Sequence, residues 1–237
     1  MTNNVSGYST MSPAIAGTRN YYRWLYRVLN PVLGQKILEI GPGWGQMAEL
    51  ITAGDREYWA ADIDGGVIEG LKKKYPAAAA RFVCGDITSA RAAAAIPPGG
   101  VDTILMMNIL EHVEDDAAFL RDLRARFPGC RIVLQLPALP ALYGRLDREA
   151  GHYRRYTAAS AKAALLAAGY SPETIFYFNF IGAVTWFISS RIADFSLKSG
   201  AVGRFIRLND RFIIPLSFLL EPFTRKLAGQ SVIVVGR

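Results

Sequence analysis

Ile37-Leu38-Glu39-Ile40-Gly41-Pro42-Gly43-Trp44-Gly45 decides how this chain is read. The four residues ending at Ile40 read as a buried strand. Three glycines follow at alternate positions, and Gln46-Met47-Ala48-Glu49-Leu50-Ile51 reads as a helix start. A strand that turns into a helix through glycines brings backbone close to a ligand, because no Cβ blocks the approach. The spacing departs from the G-x-G-x-x-G of dinucleotide-binding folds: the third glycine comes one residue early, and Gln46 stands where that fingerprint wants glycine. On this stretch alone, a structural turn and a nucleotide site of another kind both stay open.

Three further signals follow in order. Trp59-Ala60-Ala61-Asp62-Ile63-Asp64 is an apolar run ending in carboxylates, about twenty residues past the glycines, where a βαβ unit places an acid that accepts ribose hydroxyls. Arg81-Phe82-Val83-Cys84-Gly85-Asp86-Ile87 ends a third strand in G-D. Val101-Asp102-Thr103-Ile104-Leu105-Met106-Met107-Asn108 is a fourth strand and runs into Ile109-Leu110-Glu111-His112-Val113. Each piece alone has a plain reading, such as a strand-end or helix-capping acid. Together, at this spacing, they resemble the motifs of class I S-adenosylmethionine-dependent methyltransferases, over about residues 20 to 172 plus the last strand.

That resemblance implies an α/β fold: a doubly wound, seven-stranded, mostly parallel sheet in the order 3-2-1-4-5-7-6, with strand seven antiparallel. It implies S-adenosylmethionine as cofactor, held by Glu39, Gly41, Gly43, Gly45, Asp62, Ile63, Asp86, Ile87 and Asn108. Asp62 would take the ribose, Ile63 would lie against adenine, and Asp86 would accept from its exocyclic amine. The acceptor side falls to Tyr22, His112, Tyr143, Arg154 and Arg155.

Composition agrees. The chain has 237 residues, 51% apolar and 20% charged, enough for one α/β domain with a substantial core. Two cysteines are too few for a disulfide framework, and Cys84 falls in an expected core strand, which points to a reduced, cytoplasmic setting. The polar N-terminus has no signal-peptide apolar core. No metal-ligand spacing is visible, so no metal is expected. A net charge of +7 suits anionic partners. No nucleic-acid motif accompanies it, and Lys72-Lys73-Lys74 reads as a solvated helix end, where cations are favoured.

Strands are expected near 36–40, 58–62, 80–84, 101–107 and 131–136, with Thr174 to Phe180 as strand six and Gln230 to Gly236 as strand seven. Residues 1–33 form an N-terminal segment, unstructured to residue 17, and an aromatic helix. Residues 34–180 form the cofactor-binding core, 181–229 an apolar and basic helical insertion, and 230–237 the last core strand.

Two regions exceed a minimal member of the family and should hold the acceptor. The first, Pro137 to Thr157, follows strand five and overhangs the carboxyl ends of the strands, where open α/β sheets bind ligands; within it stands Leu146-Asp147-Arg148-Glu149-Ala150-Gly151-His152-Tyr153-Arg154-Arg155-Tyr156-Thr157. It resembles a signature of a bacterial methyltransferase group, several of whose members are associated with envelope, glycan or secondary-metabolite pathways. In the functional reading His152 is the general base and Arg154 or Arg155 clamps an anion. In the structural reading Asp147 pairs with an arginine, His152 bonds within the loop, and Thr157 caps a helix. The second region is the insertion. Residues 191–226 carry seven basic and three acidic side chains, beside the apolar runs Ile181 to Ser190 and Phe212 to Leu220, each too short to span a bilayer. An anionic membrane surface, a lipophilic acceptor pocket, a homodimer contact and plain cover for the sheet all fit.

The expected activity is methyl transfer to a small-molecule, glycan or lipid-linked acceptor, in the cytoplasm or at the inner face of the membrane. O-methylation is favoured, with His152 as base, because a hydroxyl needs one and a neutral amine does not. The rivals are an S-adenosylmethionine enzyme of different chemistry and a non-catalytic cofactor-binding module.

Overall fold

In a computed structural model, which describes residues 13–188 and 200–237, the chain forms a seven-stranded sheet in the order β3-β2-β1-β4-β5-β7-β6. The strands are β1 (Lys36–Ile40), β2 (Glu57–Asp62), β3 (Phe82–Cys84), β4 (Thr103–Met107), β5 (Arg131–Pro137), β6 (Pro172–Phe178) and β7 (Ser231–Gly236). β1 through β5 pair in parallel, while β7 runs antiparallel to both β5 and β6. This is the topology implied by the motifs. The crossover helices are α2 (Gln46–Thr52), α3 (Gly65–Lys74), α4 (Ala90–Ala93) and α5 (Asp116–Arg126), preceded by α1 (Arg19–Leu29). α6 (Arg145–Ala150) and α7 (Ala158–Ala167) follow β5.

Alternation along the strands fills both faces of the sheet. Leu38, Ile104, Ile132 and Leu134 pack with Leu120 and Leu123 of α5 and Leu165 of α7. Ile37, Leu105, Val133 and Ile233 pack with Leu25 of α1, Met47 of α2 and Ile68 of α3. Local capping fixes the helix starts: Asp64 accepts from the Gly66 N–H, Asp115 from Ala118, and Thr157 from Ser160.

Three details differ from the sequence reading. Pro13–Gly17 is a short 3-10 turn where no structure was expected, and residues 1–12 lie outside the described residues. β6 ends at Phe178 because Asn179 takes a left-handed conformation (φ 63°) and its side chain accepts from the Gly182 N–H, capping the next helix. Cys84, placed in the core by pattern, is the exposed last residue of a three-residue strand.

Between β6 and β7 lie α8 (Phe180–Phe187), α9 (Gly200–Leu208), a π turn (Asn209–Ile213) and α10 (Ile214–Thr224); residues 189–199 of the expected insertion lie outside the described residues. Asp210 of the π turn ties this region to α1. Thr18 stands at the N-cap of α1 but makes no capping bond from its side chain. Instead, the Asp210 carboxylate accepts from the backbone N–H groups of Tyr21 (2.8 Å) and Asn20 (3.2 Å). Asp210→Ala should therefore cost about 1–2 kcal/mol, as loss of a helix cap does. Urea unfolding checks this, and an unchanged midpoint would show that the long-range cap carries no stability.

α10 is patterned inside out. Its buried residues are Ile214, Ser217 and Glu221, whereas Leu216, Leu219 (65% exposed) and Phe223 (78% exposed) face outward. Ordinary surface helices do the reverse. No helix among the described residues is long and apolar enough to cross a membrane.

Candidate functional site

One cavity of about 1080 Å³ opens over the carboxyl ends of β1, β2, β4 and β5. At one end lie the glycine loop, Asp62, Ile63, Asp86 and Asn108; at the other lie His112, Tyr143, His152 and Arg155, and Tyr22 of α1 is also in the lining. Trp186 of α8 and Phe205 and Ile206 of α9 also line the cavity.

The glycines divide the work. Gly43 lines the cavity. Gly45, the N-cap of α2 with φ 74°, does not; a Cβ there would lie 2.8 Å from Leu71 Cδ2. Its role is the left-handed turn and the close packing of α2 on α3.

Asp62 closes β2 nearly buried, and its Oδ1 accepts from the Asp64 N–H at 2.8 Å. Burial raises its carboxyl above the ordinary range, with that N–H opposing. Ile63 beside it is 48% exposed, an apolar side chain turned into the cavity wall. Asp86 is exposed at the end of the β3 loop, and its Oδ1 accepts from the backbone and hydroxyl of Thr88. Ile87 is buried next to it. Asn108 follows β4 with φ 52°, a left-handed turn that short polar side chains tolerate.

Glu39 departs from its expected place at the cofactor. It is fully buried and does not line the cavity; its Oε2 accepts from the Tyr58 hydroxyl at 2.5 Å. Burial pushes its carboxyl up to about 7, with the Tyr58 bond opposing. Glu39 therefore sits beneath the glycine loop and braces β1 against β2.

At the acceptor end, Asp147 of α6 is the hub. It is fully buried, and its Oδ1 accepts from His152 Nδ1 (2.9 Å) and Arg155 Nε (2.7 Å) while Oδ2 accepts from the Gly144 N–H (3.0 Å). Burial alone would raise Asp147, but the bond from His152 and the Arg155 charge outweigh it and hold the carboxyl below its ordinary range. The Nδ1 bond turns the other nitrogen of His152 toward Glu111 Oε1, at 3.8 Å. Glu111 is fully buried on the turn after β4. Apart from an imperfect contact with its own N–H, neither carboxylate oxygen has a hydrogen-bond partner among the described residues. Burial pushes it up to about 8. His112 packs edge-on against His152, with ring centroids 4.8 Å apart. Burial, and then the neighbouring imidazole, bring it down to about 4.

The arginines do not form an anion clamp. Arg154 lies outside the cavity, paired with Asp116 at 3.1 Å and donating to the Glu114 carbonyl. Arg155 reaches the wall, but it donates to Asp147 and the Ala138 carbonyl and stacks on Trp186. The Arg155–Asp147 pair is the structural reading of the loop, whereas the partners of Arg154 are about forty residues away and adjacency could not reveal them. Tyr143 lines the cavity and its hydroxyl donates to the His152 carbonyl. Burial pushes the Tyr22 hydroxyl well up, so it stays protonated.

Sequence reasoning missed the 3-10 turn at Pro13–Gly17. Its Ile15 lines the cavity and accepts from Gln46 Nε2 at 2.8 Å. It also missed Gln135 of β5, which lines the cavity floor and donates to the Tyr21 hydroxyl and Ser231 Oγ. The first carries no sequence signal. The second is the polar residue inside the apolar run from Ile132 to Pro137, and that was readable.

Residues 38–126 match the family model described as a methyltransferase domain. No curated protein matches the chain. Among solved structures, an S-adenosylmethionine-dependent methyltransferase from Archaeoglobus fulgidus is 19% identical over 92% of this chain and 93% of its own, with TM-score 0.59. One from Mesorhizobium loti is 14% identical over 90% and 97%, with TM-score 0.58. A putative methyltransferase from Bacillus halodurans is 14% identical over 91% and 97%, with TM-score 0.58. The methyltransferase-domain match over residues 38–126 and the sheet order give this chain the fold of the S-adenosylmethionine-dependent methyltransferases.

The cavity fits that cofactor. An exposed apolar Ile63 beside a nearly buried Asp62 is the surrounding an adenosine requires: a face for the base and an acceptor for the ribose hydroxyls. Gly43 leaves the loop open for the rest of the molecule.

Proposed function

We propose that the chain methylates a hydroxyl of a lipid-linked acceptor. When bound, S-adenosylmethionine supplies an activated methyl group, so the protein's main task is to align the acceptor with it. The observation that carries the reading is a cavity whose lining includes both the glycine loop and His152. It leads from the glycine loop to His152, with residues of α8 and α9 in its lining, and the neighbouring α10 turns its apolar residues outward. The hydroxyl must shed its proton as its oxygen bonds to carbon. His152 Nε2 is the basic atom the chain places at that end, with Asp147 fixing the ring. Labelled methyl transfer into lipid extracts tests this. Label that enters a lipid and resists alkali supports an ether product. Label released as methanol would mean a carboxyl acceptor, and no label in the lipid fraction would reject the lipid.

The outward apolar face should also bind membranes. Arg204, Arg207, Arg211, Arg225 and Lys226 are exposed around it, the charge that anionic lipid attracts. Salt-sensitive sedimentation with anionic vesicles is expected, little with neutral ones, and loss in Leu219→Glu/Phe223→Glu. A dimer by light scattering that ignores vesicles would overturn this in favour of a subunit contact.

A further inference from the structure

We infer that Glu111, His112 and His152 form a binding site for a divalent first-row metal ion at the acceptor end of the cavity. One ligand atom from each lies within 4.8 Å of the others. The decisive feature is that three ligand atoms converge and the carboxyl among them has no hydrogen-bond partner of its own among the described residues. His152 spends its Nδ1 proton on Asp147, and His112 uses one ring nitrogen on the Gly151 carbonyl. An imidazole so held has one ring nitrogen left to offer a metal ion. Between them stands a fully buried carboxylate whose two oxygens lack hydrogen-bond partners among the described residues. Such a group is costly to bury without a proton or a cation to share.

Two imidazoles and one carboxylate are a common donor set for zinc or iron(II). The outer contacts suit it as well. Metal-bound histidines usually donate their second nitrogen to a carboxylate or a backbone carbonyl; His152 has the first and His112 the second. Arg155 and the Gly144 N–H in turn hold Asp147. Bonds of about 2.0–2.2 Å would draw the donors together by roughly 0.5–1.5 Å, within reach of side-chain torsions. The backbone is prearranged: the Tyr153 N–H donates to the Glu111 carbonyl and clasps the two loops. Sequence spacing hid the site, because adjacent Glu111 and His112 meet a histidine forty positions later on another loop.

For the acceptor, this rests on the proposed O-methylation. The two imidazoles line the cavity, so the ion's open position faces the arriving hydroxyl. A bound ion would lower the hydroxyl's pKa and let its proton leave to solvent, so His152 Nε2 would then be a ligand in place of the base proposed above.

The test uses untagged full-length protein stripped with a chelator, titrated by calorimetry with zinc, then manganese and magnesium. One equivalent of zinc should bind. Glu111→Gln and His112→Ala should weaken it by about 100-fold or more, and Asp147→Asn by about 10–100-fold. S-adenosylmethionine affinity should be unchanged in each, which also shows that the variants fold. Absence of binding, or binding that ignores Glu111→Gln, would overturn the site and leave Glu111 as a buried neutral acid. Stripped protein that still transfers methyl at full rate overturns the ion's role and spares the methyltransferase reading. Metal binding with no hydroxyl product supports the site and rejects the acceptor.

Discussion

His152→Ala is expected to bind S-adenosylmethionine as the unmodified chain does, and to turn over about 10²–10⁴-fold more slowly. The separation follows from geometry. His152 stands on the loop after β5, on the acceptor side, whereas the cofactor wall comes from the ends of β1 to β4. Its side chain is 10% exposed and held by Asp147, so removal takes a basic lone pair from the cavity without touching the glycine loop. Asp147 keeps Arg155 and the Gly144 N–H in the variant, which limits the loss of stability. Turnover should be expressed per folded molecule. A rate within a few-fold of the unmodified chain would remove His152 from the chemistry. Weaker folding with a normal rate per folded molecule would leave it a purely structural tie within its loop.

Asp62→Ala carries the next largest effect, a loss of about 1.5–3 kcal/mol in cofactor affinity, or about 10–100-fold. Two charge-assisted bonds to the ribose account for it. The substitution also frees the Asp64 N–H, so Asp62→Asn is the companion variant: it keeps an acceptor for that N–H and loses the charge. Calorimetry reads both. Unchanged affinity in Asp62→Ala would remove Asp62 from the cofactor site, and tight NAD binding would point to an oxidoreductase.

Arg154→Ala and Arg155→Ala should behave differently from one another. Arg154 makes exposed contacts with Asp116 and Glu114, and its loss should cost less than about 1 kcal/mol. Arg155 is buried on Asp147, and its loss leaves a buried carboxylate short of its cation, a change that costs about 3–5 kcal/mol when one partner of a buried pair is removed. Thermal unfolding of the pair checks this. Equal effects would mean that the Arg155–Asp147 bond does not carry the loop.

What the sequence determined by itself was the frame. Strand-length apolar runs, alternating glycines and acids at strand ends are local patterns, and a parallel sheet with right-handed crossovers leaves few ways to connect them. The sheet order and the positions of Asp62, Ile63 and Asp86 followed. Tertiary structure decided everything that depends on partners far along the chain. It placed Glu39 outside the cavity on a buried bond with Tyr58 and gave both arginines partners within the protein. It made Asp210 the cap of a helix that begins 191 residues earlier. It also placed Glu111 against two imidazoles from different loops. The physical reason is the same in each case. A side chain's chemistry is set by what desolvates it and what bonds to it, and for these residues both come from segments that only the fold brings together.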